Sequence, residues 1–153
     1  MSKPGSESVL GFAFTPDEGP DRTRWVVLIK KDHPPWAADK FNGVGGAVEP
    51  PEEPRDAMAR EFLEETGVVT RPEDWRLVAL VGRAAERTMY VYATALPGPL
   101  TLKQDGPEPC YWVPVDKPPS AILPNLQWLI PLCLDDRVTD VVSVPYRGRS
   151  APH

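Results

Sequence analysis

"GGAVEPPEEPRDAMAREFLEETGVV", Gly45 to Val69, carries seven carboxylates in twenty-five positions. Its later part, Arg60-Glu61-Phe62-Leu63-Glu64-Glu65, puts three glutamates into five residues, framed by the Gly45-Gly46 pair and by Gly67. Pro54 suits a first helical turn, Glu52 and Glu53 suit the positive end of the helix dipole, and Gly67 suits a left-handed cap. The stretch therefore predicts a helix from Pro54 to Thr66. On that helix Glu61 lies one turn from both Glu64 and Glu65, so all three project to one side. Ala57, a turn earlier, is expected to leave that side open, while Met58, Ala59, Phe62, Leu63 and Thr66 form the opposing face for a core.

Like charges at this spacing cost about 0.2–0.5 kcal/mol per pair, so something should offset the cost. A converging set of hard oxygen donors is what Mg²⁺ or Mn²⁺ requires, and a bound ion would relieve the repulsion. Arg60 is placed to pair with Glu52 across the helix start, fixing the preceding loop. The bland alternative is a solvated charged face, and the spacing argues against it. The pattern G-x5-E-x7-R-E-(apolar)-x-E-E-x-G-(apolar) falls on Gly46, Glu52, Arg60, Glu61, Phe62, Glu64, Glu65, Gly67 and Val68. Its glycine and charged positions alone would recur by chance about once in a million chains of this size at average composition.

That string resembles the signature of the Nudix hydrolases, which cleave nucleoside diphosphates linked to another moiety. It is complete over residues 46–68, except that Phe62 stands where Leu, Ile or Val is usual. The resemblance implies an α+β fold, an α/β/α sandwich around a mixed β-sheet, with a loop-helix-loop that holds Mg²⁺ or Mn²⁺. It also implies roles: Glu61 and Glu65 as main ligands, Glu64 as a further ligand or base, and the Gly45 carbonyl as a backbone ligand. Arg60 and Glu52 complete the catalytic set. An acid from a later loop often joins such a site; Glu108 is the first candidate, with Asp105 behind it.

Outside the signature, Val9–Phe14 and Trp25–Lys30 read as strands separated by the polar turn "TPDEGPDRTR". "DHPPWAADK" reads as a loop, and "FNGVGGAVE" as a strand interrupted by glycines. Trp75–Val81, Met89–Ala95, Tyr111–Val115 and Thr139–Val144 are further strands, and Asn125–Leu134 a second helix distorted by Pro131. Strands with single helices and no regular alternation favour a mixed α+β sandwich over a doubly wound sheet.

At 153 residues with 41% hydrophobic content, the chain is expected to form a single domain over residues 1–153. The net charge of −5 argues against binding duplex nucleic acid. Cys110 and Cys133 have no CxxC spacing, and no signal peptide is read at the N-terminus, so a reducing cytoplasm is the expected compartment. "AILPNLQWLIPLCL" is too short and interrupted to cross a membrane. A homodimer is compatible with the sequence, which does not decide it.

For the substrate, the chain looks similar to MutT-like, oxidised-purine nucleoside triphosphate diphosphatases. "KFNGVGG" resembles their strand in which an asparagine, here Asn42, reads the purine edge; the alternative is an Asn-Gly turn. "IKK" resembles a segment whose lysine reaches substrate, with Lys30 the candidate against a plain surface pair. Asn125 faces the base or caps a helix. Leu123-Pro124-Asn125-Leu126 replaces the Trp-Pro and acids of the 8-oxoguanine pocket. Trp36 is a candidate pocket wall. Trp25, Trp75 and Trp112 are read as core, and Trp128 as core or pocket edge. His33 is read as a surface residue, and His153 ends the chain. ADP-ribose, a nucleotide sugar or a dinucleoside polyphosphate is the rival substrate, although "GRAAE" at 82–86 lacks the Pro or Tyr usual for the ADP-ribose and dinucleoside polyphosphate enzymes. A non-catalytic nucleotide-binding module is the rival of another class.

Overall fold

A computed structural model describes residues 6–17, 22–83 and 87–145. Parts of the 15–24 turn and of "GRAAE", and His153, lie outside the described residues. The chain runs β1 (Glu7–Phe14), β2 (Trp25–Lys30), β3 (Phe41–Asn42), β4 (Val44–Ala47), α1 (Pro54–Thr66), β5 (Arg76–Arg83), β6 (Arg87–Ala95), β7 (Cys110–Pro114), α2 (Leu126–Leu134) and β8 (Val142–Val144).

The strands form one mixed sheet in the order β3-β2-β1-β6-β5-β8, with β4 added on β1 and β7 on β2. The pairs β1–β6 and β5–β8 are parallel and the others antiparallel. Strand β1 is central: β6 follows it along its whole length, while its other edge is shared between β4 at the start and β2 at Phe14.

"VLGFAF" is apolar at every position because both faces of β1 are covered. Leu10, Phe12 and Phe14 join the core beneath α2, with Leu126, Leu129, Ile130 and Cys133. Val9 and Ala13 join the core beneath α1, with Met58 and Phe62. Strand β2 divides the same way, Val26 and Leu28 to one face and Val27 and Ile29 to the other. The period-2 pleat thus sorts one apolar run into two cores, and the result is the expected α/β/α sandwich.

Helix α1 has its expected bounds. Pro54 opens it, and Gly67 closes it at φ 80 with its N–H donated to the Leu63 carbonyl at 2.9 Å. A Cβ at Gly67 would meet nothing within 4 Å, so a substitution there pays only for the left-handed backbone. Gly67→Ala is expected to lower stability by about 1 kcal/mol, with Gly67→Asn milder, measured by urea unfolding.

Its faces differ from expectation. Leu63 is 45% exposed and Ala57 fully buried. Met58, Phe62 and Thr66 repeat every four residues and set the buried stripe; Leu63, about 100° round from Phe62, falls outside it. Ala57 is buried because the helix side carrying Glu61 leans on β4 instead of facing solvent. Phe62 meets Trp75 edge to face, ring centroids 5.1 Å apart, which gives the aromatic at this position a packing partner.

Three smaller differences follow from turns. "FNGVGGAVE" splits at Gly43 into β3 and β4. Trp75, fully buried, ends a single 3-10 turn over Pro72–Asp74 and precedes β5. Strand β8 starts only at Val142. Trp25 and Trp112 are half-buried, and Trp128 packs partly on the α2-side core. No helix among the described residues is long and apolar enough to cross a membrane.

Candidate active site

Arg60 organises the site. Its Nε donates to Glu52 at 3.1 Å, one terminal nitrogen to Glu61 at 3.0 Å and Glu64 at 3.3 Å, and the other to Glu52 at 2.7 Å and the Ala47 carbonyl at 3.0 Å. One side chain thereby ties the end of β4, the 48–53 loop and the acidic side of α1 together. Glu52 closes the loop by accepting the Glu49 amide at 2.7 Å. The hydrogen bond from Arg60 holds the Glu52 carboxyl below its ordinary range, and Glu52 in turn raises the Arg60 pKa. The glutamate repulsion is therefore offset first by this guanidinium.

Glu61 lies against β4. A Cβ at Gly46 would overlap its carboxylate, so glycine is required for that approach. Burial raises the Glu61 pKa, with Arg60 opposing. Glu65, one turn on, is more deeply placed. Among the described residues, its Oε2 is the sole buried side-chain oxygen or nitrogen without a hydrogen-bond partner. Burial and then Glu61 push its carboxyl up to about 7, with Lys31 and the Gly45 amide opposing and Glu108 adding to the rise. Gly45 thus meets Glu65 through its N–H. Glu64 turns outward, 57% exposed and held by Arg60.

Among the described residues, no three His, Cys, Asp or Glu side chains close on one point as they stand; Arg60 holds Glu61 and Glu64 instead. The donor set nonetheless fits a hard divalent cation. It offers carboxylate oxygens, one of them buried and unsatisfied, beside a backbone cradle kept open by glycine.

The pleat then assigns the other candidates to faces. Asn42 pairs with Ile29, and Ile29 belongs to the α1-side core, so Asn42 shares the face that carries Glu61 and Glu65. Its Oδ1 accepts the Gly43 amide at 2.8 Å. Lys30 pairs with Phe41 and points the other way, into a cavity of about 450 Å³ also lined by Tyr111, Val113, Lys117 and Pro119. Phe41 and Tyr111 meet edge to face there, centroids 6.0 Å apart. Lys30 is thus not brought together with Asn42 or the glutamates.

Glu108 is near the cluster but engaged. It accepts the Asp32 amide at 2.7 Å, lies 3.3 Å from Lys31 Nζ and 3.4 Å from His33 Nδ1. Burial pushes its carboxyl up, but the Asp32 amide and Lys31 outweigh it and leave it below its ordinary range. Asp105 is exposed. Trp36 sits 41% exposed in the β2–β3 connection. Asn125 occupies the N-cap of α2 with its backbone carbonyl accepting the Leu129 amide at 3.0 Å and without a side-chain capping bond. Leu123, close by, is buried in the core.

Lys31 is the residue that sequence reasoning missed. The "IKK" run held the right segment, but only the register of β2 shows which lysine faces the acids.

The sequence matches the NUDIX domain over residues 8–131. The chain belongs to the Nudix family. No curated protein matches it by sequence. Among solved structures, it is similar to a NUDIX hydrolase from Nitrosomonas europaea, with a TM-score of 0.67 and 16% identity over 95% of this chain and 82% of that one. The NUDIX domain of Shewanella oneidensis NrtR, solved with ADP ribose, gives a TM-score of 0.66 and 19% identity over 90% of both chains. A MutT/nudix family protein from Enterococcus faecalis gives 0.64 and 22% identity over 74% of this chain; the match spans only 45% of that protein. At these identities the likeness establishes the fold. In this Nudix domain the signature residues occupy β4, the 48–53 loop and α1, as described above.

Proposed function

We propose that this Nudix domain is a Mg²⁺-dependent nucleotide pyrophosphohydrolase, with a purine (d)NTP, oxidised forms included, as its substrate; Mn²⁺ is the expected substitute. One observation carries the reading: the buried, unpartnered Oε2 of Glu65 beside Glu61, within a complete signature. A divalent ion bound there supplies positive charge to the phosphates and acidifies a water. Glu61, Glu65 and the Gly45 carbonyl would hold the ion, with Glu108, beside Lys31, as the further carboxylate. Glu64, the most exposed of the three, is the proposed acceptor of the attacking water's proton. Attack at phosphorus breaks one anhydride P–O bond and gives a nucleoside monophosphate and pyrophosphate. Arg60 and Glu52 keep the loop and helix in register throughout. Asn42, on the same sheet face, offers a donor and an acceptor to a purine edge once its bond to Gly43 yields.

Trp36, in the exposed β2–β3 connection, is assigned to the outer wall of the substrate cleft; Lys30 and Asn125, on the side of the sheet that carries α2, have no part in this reading. The buried thiols of Cys110 and Cys133, both unpaired, suit a reducing cytoplasm.

The test is hydrolysis of a panel with Mg²⁺, scored by product. The panel holds canonical and 8-oxo dNTPs, ADP-ribose, a nucleotide sugar and a dinucleoside tetraphosphate. Preference for purine triphosphates supports the reading. Preference for ADP-ribose keeps the glutamate chemistry and removes the base-reading role of Asn42. No metal-dependent turnover on any member leaves a binding module.

A further inference from the structure

The β2–β3 connection, residues 31–40, is stitched at its ends. Lys31 donates its amide to the Lys40 carbonyl at 2.8 Å, and Asp39 donates to the Lys31 carbonyl at 2.8 Å. Ala37 plugs the later half into the α2-side core. The earlier half has no such support. Residues 32–36 are all exposed, and Pro34 and Pro35 have no N–H to donate. Asp32 and His33 supply the main-chain donors between Lys31 and the prolines, and both amides go to one acceptor, Oε2 of Glu108, at 2.7 and 3.4 Å. His33 Nδ1 approaches the same oxygen at 3.4 Å, and Lys31 Nζ lies 3.3 Å from Oε1.

Glu108 is a firm support for these donors. Its side chain is 14% exposed. The residues after it are locked to β2, the Pro109 carbonyl accepting the Lys30 amide at 2.9 Å and Cys110 pairing with Ile29. An ionised acceptor holds main-chain amides more strongly than a neutral one, and Trp36 follows three residues after His33. From this convergence we infer that Glu108 is the positioning residue of the β2–β3 connection. Its carboxylate fixes Asp32 and His33 and thereby sets where Trp36 stands at the mouth of the cleft. It does so in the metal-free chain, apart from any share in holding a cation. The inference rests on the pyrophosphohydrolase reading for the ligand that Trp36 meets, and its first readouts need no ligand.

The test is NMR on the whole chain without metal. Glu108→Ala is expected to speed amide exchange at Asp32 and His33 by about tenfold or more and to shift the Trp36 indole N–H resonance. The Val48 amide, bonded to the Glu7 carbonyl at 3.0 Å, is expected to stay unchanged. Glu108→Gln keeps an acceptor of the same shape, so exchange is expected to be slower than in Glu108→Ala by about threefold or more, with the indole resonance returning toward wild type. dGMP, titrated into the same samples, is expected to bind Glu108→Ala about three- to tenfold more weakly than Glu108→Gln, which lacks the same charge. That difference should vanish in a Trp36→Ala background, because the two substitutions act through one contact. Wild-type exchange at Asp32 and His33 in Glu108→Ala, or a difference between the Ala and Gln variants that persists without Trp36, overturns the inference. The exchange and indole changes in a chain that binds no dGMP overturn the purine-nucleotide reading and leave the anchoring standing.

Discussion

Glu65→Gln is expected to lower turnover by on the order of a thousandfold while the fold survives. The substitution keeps the shape and removes the charge of the side chain with the unpartnered buried oxygen. Its effect on the metal-free protein is of opposite sign. The carboxyl of Glu65 is raised to about 7 from 4.5, so between those values the folded chain holds a proton that the unfolded chain has lost. The stability this contributes is complete below about 4.5 and is lost as pH rises through about 7. Glu65→Gln removes that dependence, and its melting temperature at pH 8 is expected to equal or exceed wild type. Metal binding has the complementary dependence, because the ion must displace the proton. Wild-type Mn²⁺ affinity should rise by up to about tenfold per pH unit below 7 and then level, and the variant should lack this slope. Turnover, a melting curve and a Mn²⁺ titration at two pH values check all three. Near-wild-type turnover would remove Glu65 from the catalytic set.

Gly46→Ala is the second large effect, and it acts without touching a charge. A Cβ there falls on the carboxylate of Glu61. Glu61 is constrained by Arg60 at 3.0 Å, and α1 is fixed beneath it by Phe62 and Met58, both fully buried. The atoms met are all of the Glu61 carboxylate, the far end of a flexible side chain, so the clash is relieved by moving that carboxylate at little cost in stability. A displacement near 1 Å at a reacting centre costs about a hundredfold in rate. Gly46→Ala is therefore expected to fold with a melting temperature close to wild type and to lose about two orders of magnitude in kcat. Gly67→Ala gives the comparison, since its cost is confined to the backbone of the helix cap. Equal kcat in Gly46→Ala and wild type would show that Glu61 does not need its approach to β4.

The helix and its chemistry were legible because their signals are local. Pro54 and Gly67 marked the ends of α1, and the spacing of Glu52 and Arg60 anticipated a pair now seen at 2.7 Å. The faces of α1 were less legible. Leu63 and Ala57 are both apolar enough for a core, and only the contact with β4 decides that Ala57 is buried and Leu63 is not. The outward turn of Glu64 was likewise hidden, because Arg60 reaches Glu52, Glu61 and Glu64 at once.

The amino-acid sequence by itself determined the family, the acidic helix, its caps, and the oxygen-rich donor set suited to a divalent cation. Tertiary structure alone decided which side chains meet that set. Lys30 and Lys31 are adjacent and chemically alike, yet they serve opposite faces, because side chains alternate along a strand and a one-residue change of register exchanges the two faces. That register is fixed by pairing Ile29 with Asn42 on one side of β2 and with Cys110 on the other. The same pairing brings Glu108, 77 residues from Lys31 in sequence, into contact with it. Long-range pairing of strands, which no local pattern encodes, is what turns a helix of glutamates into a site.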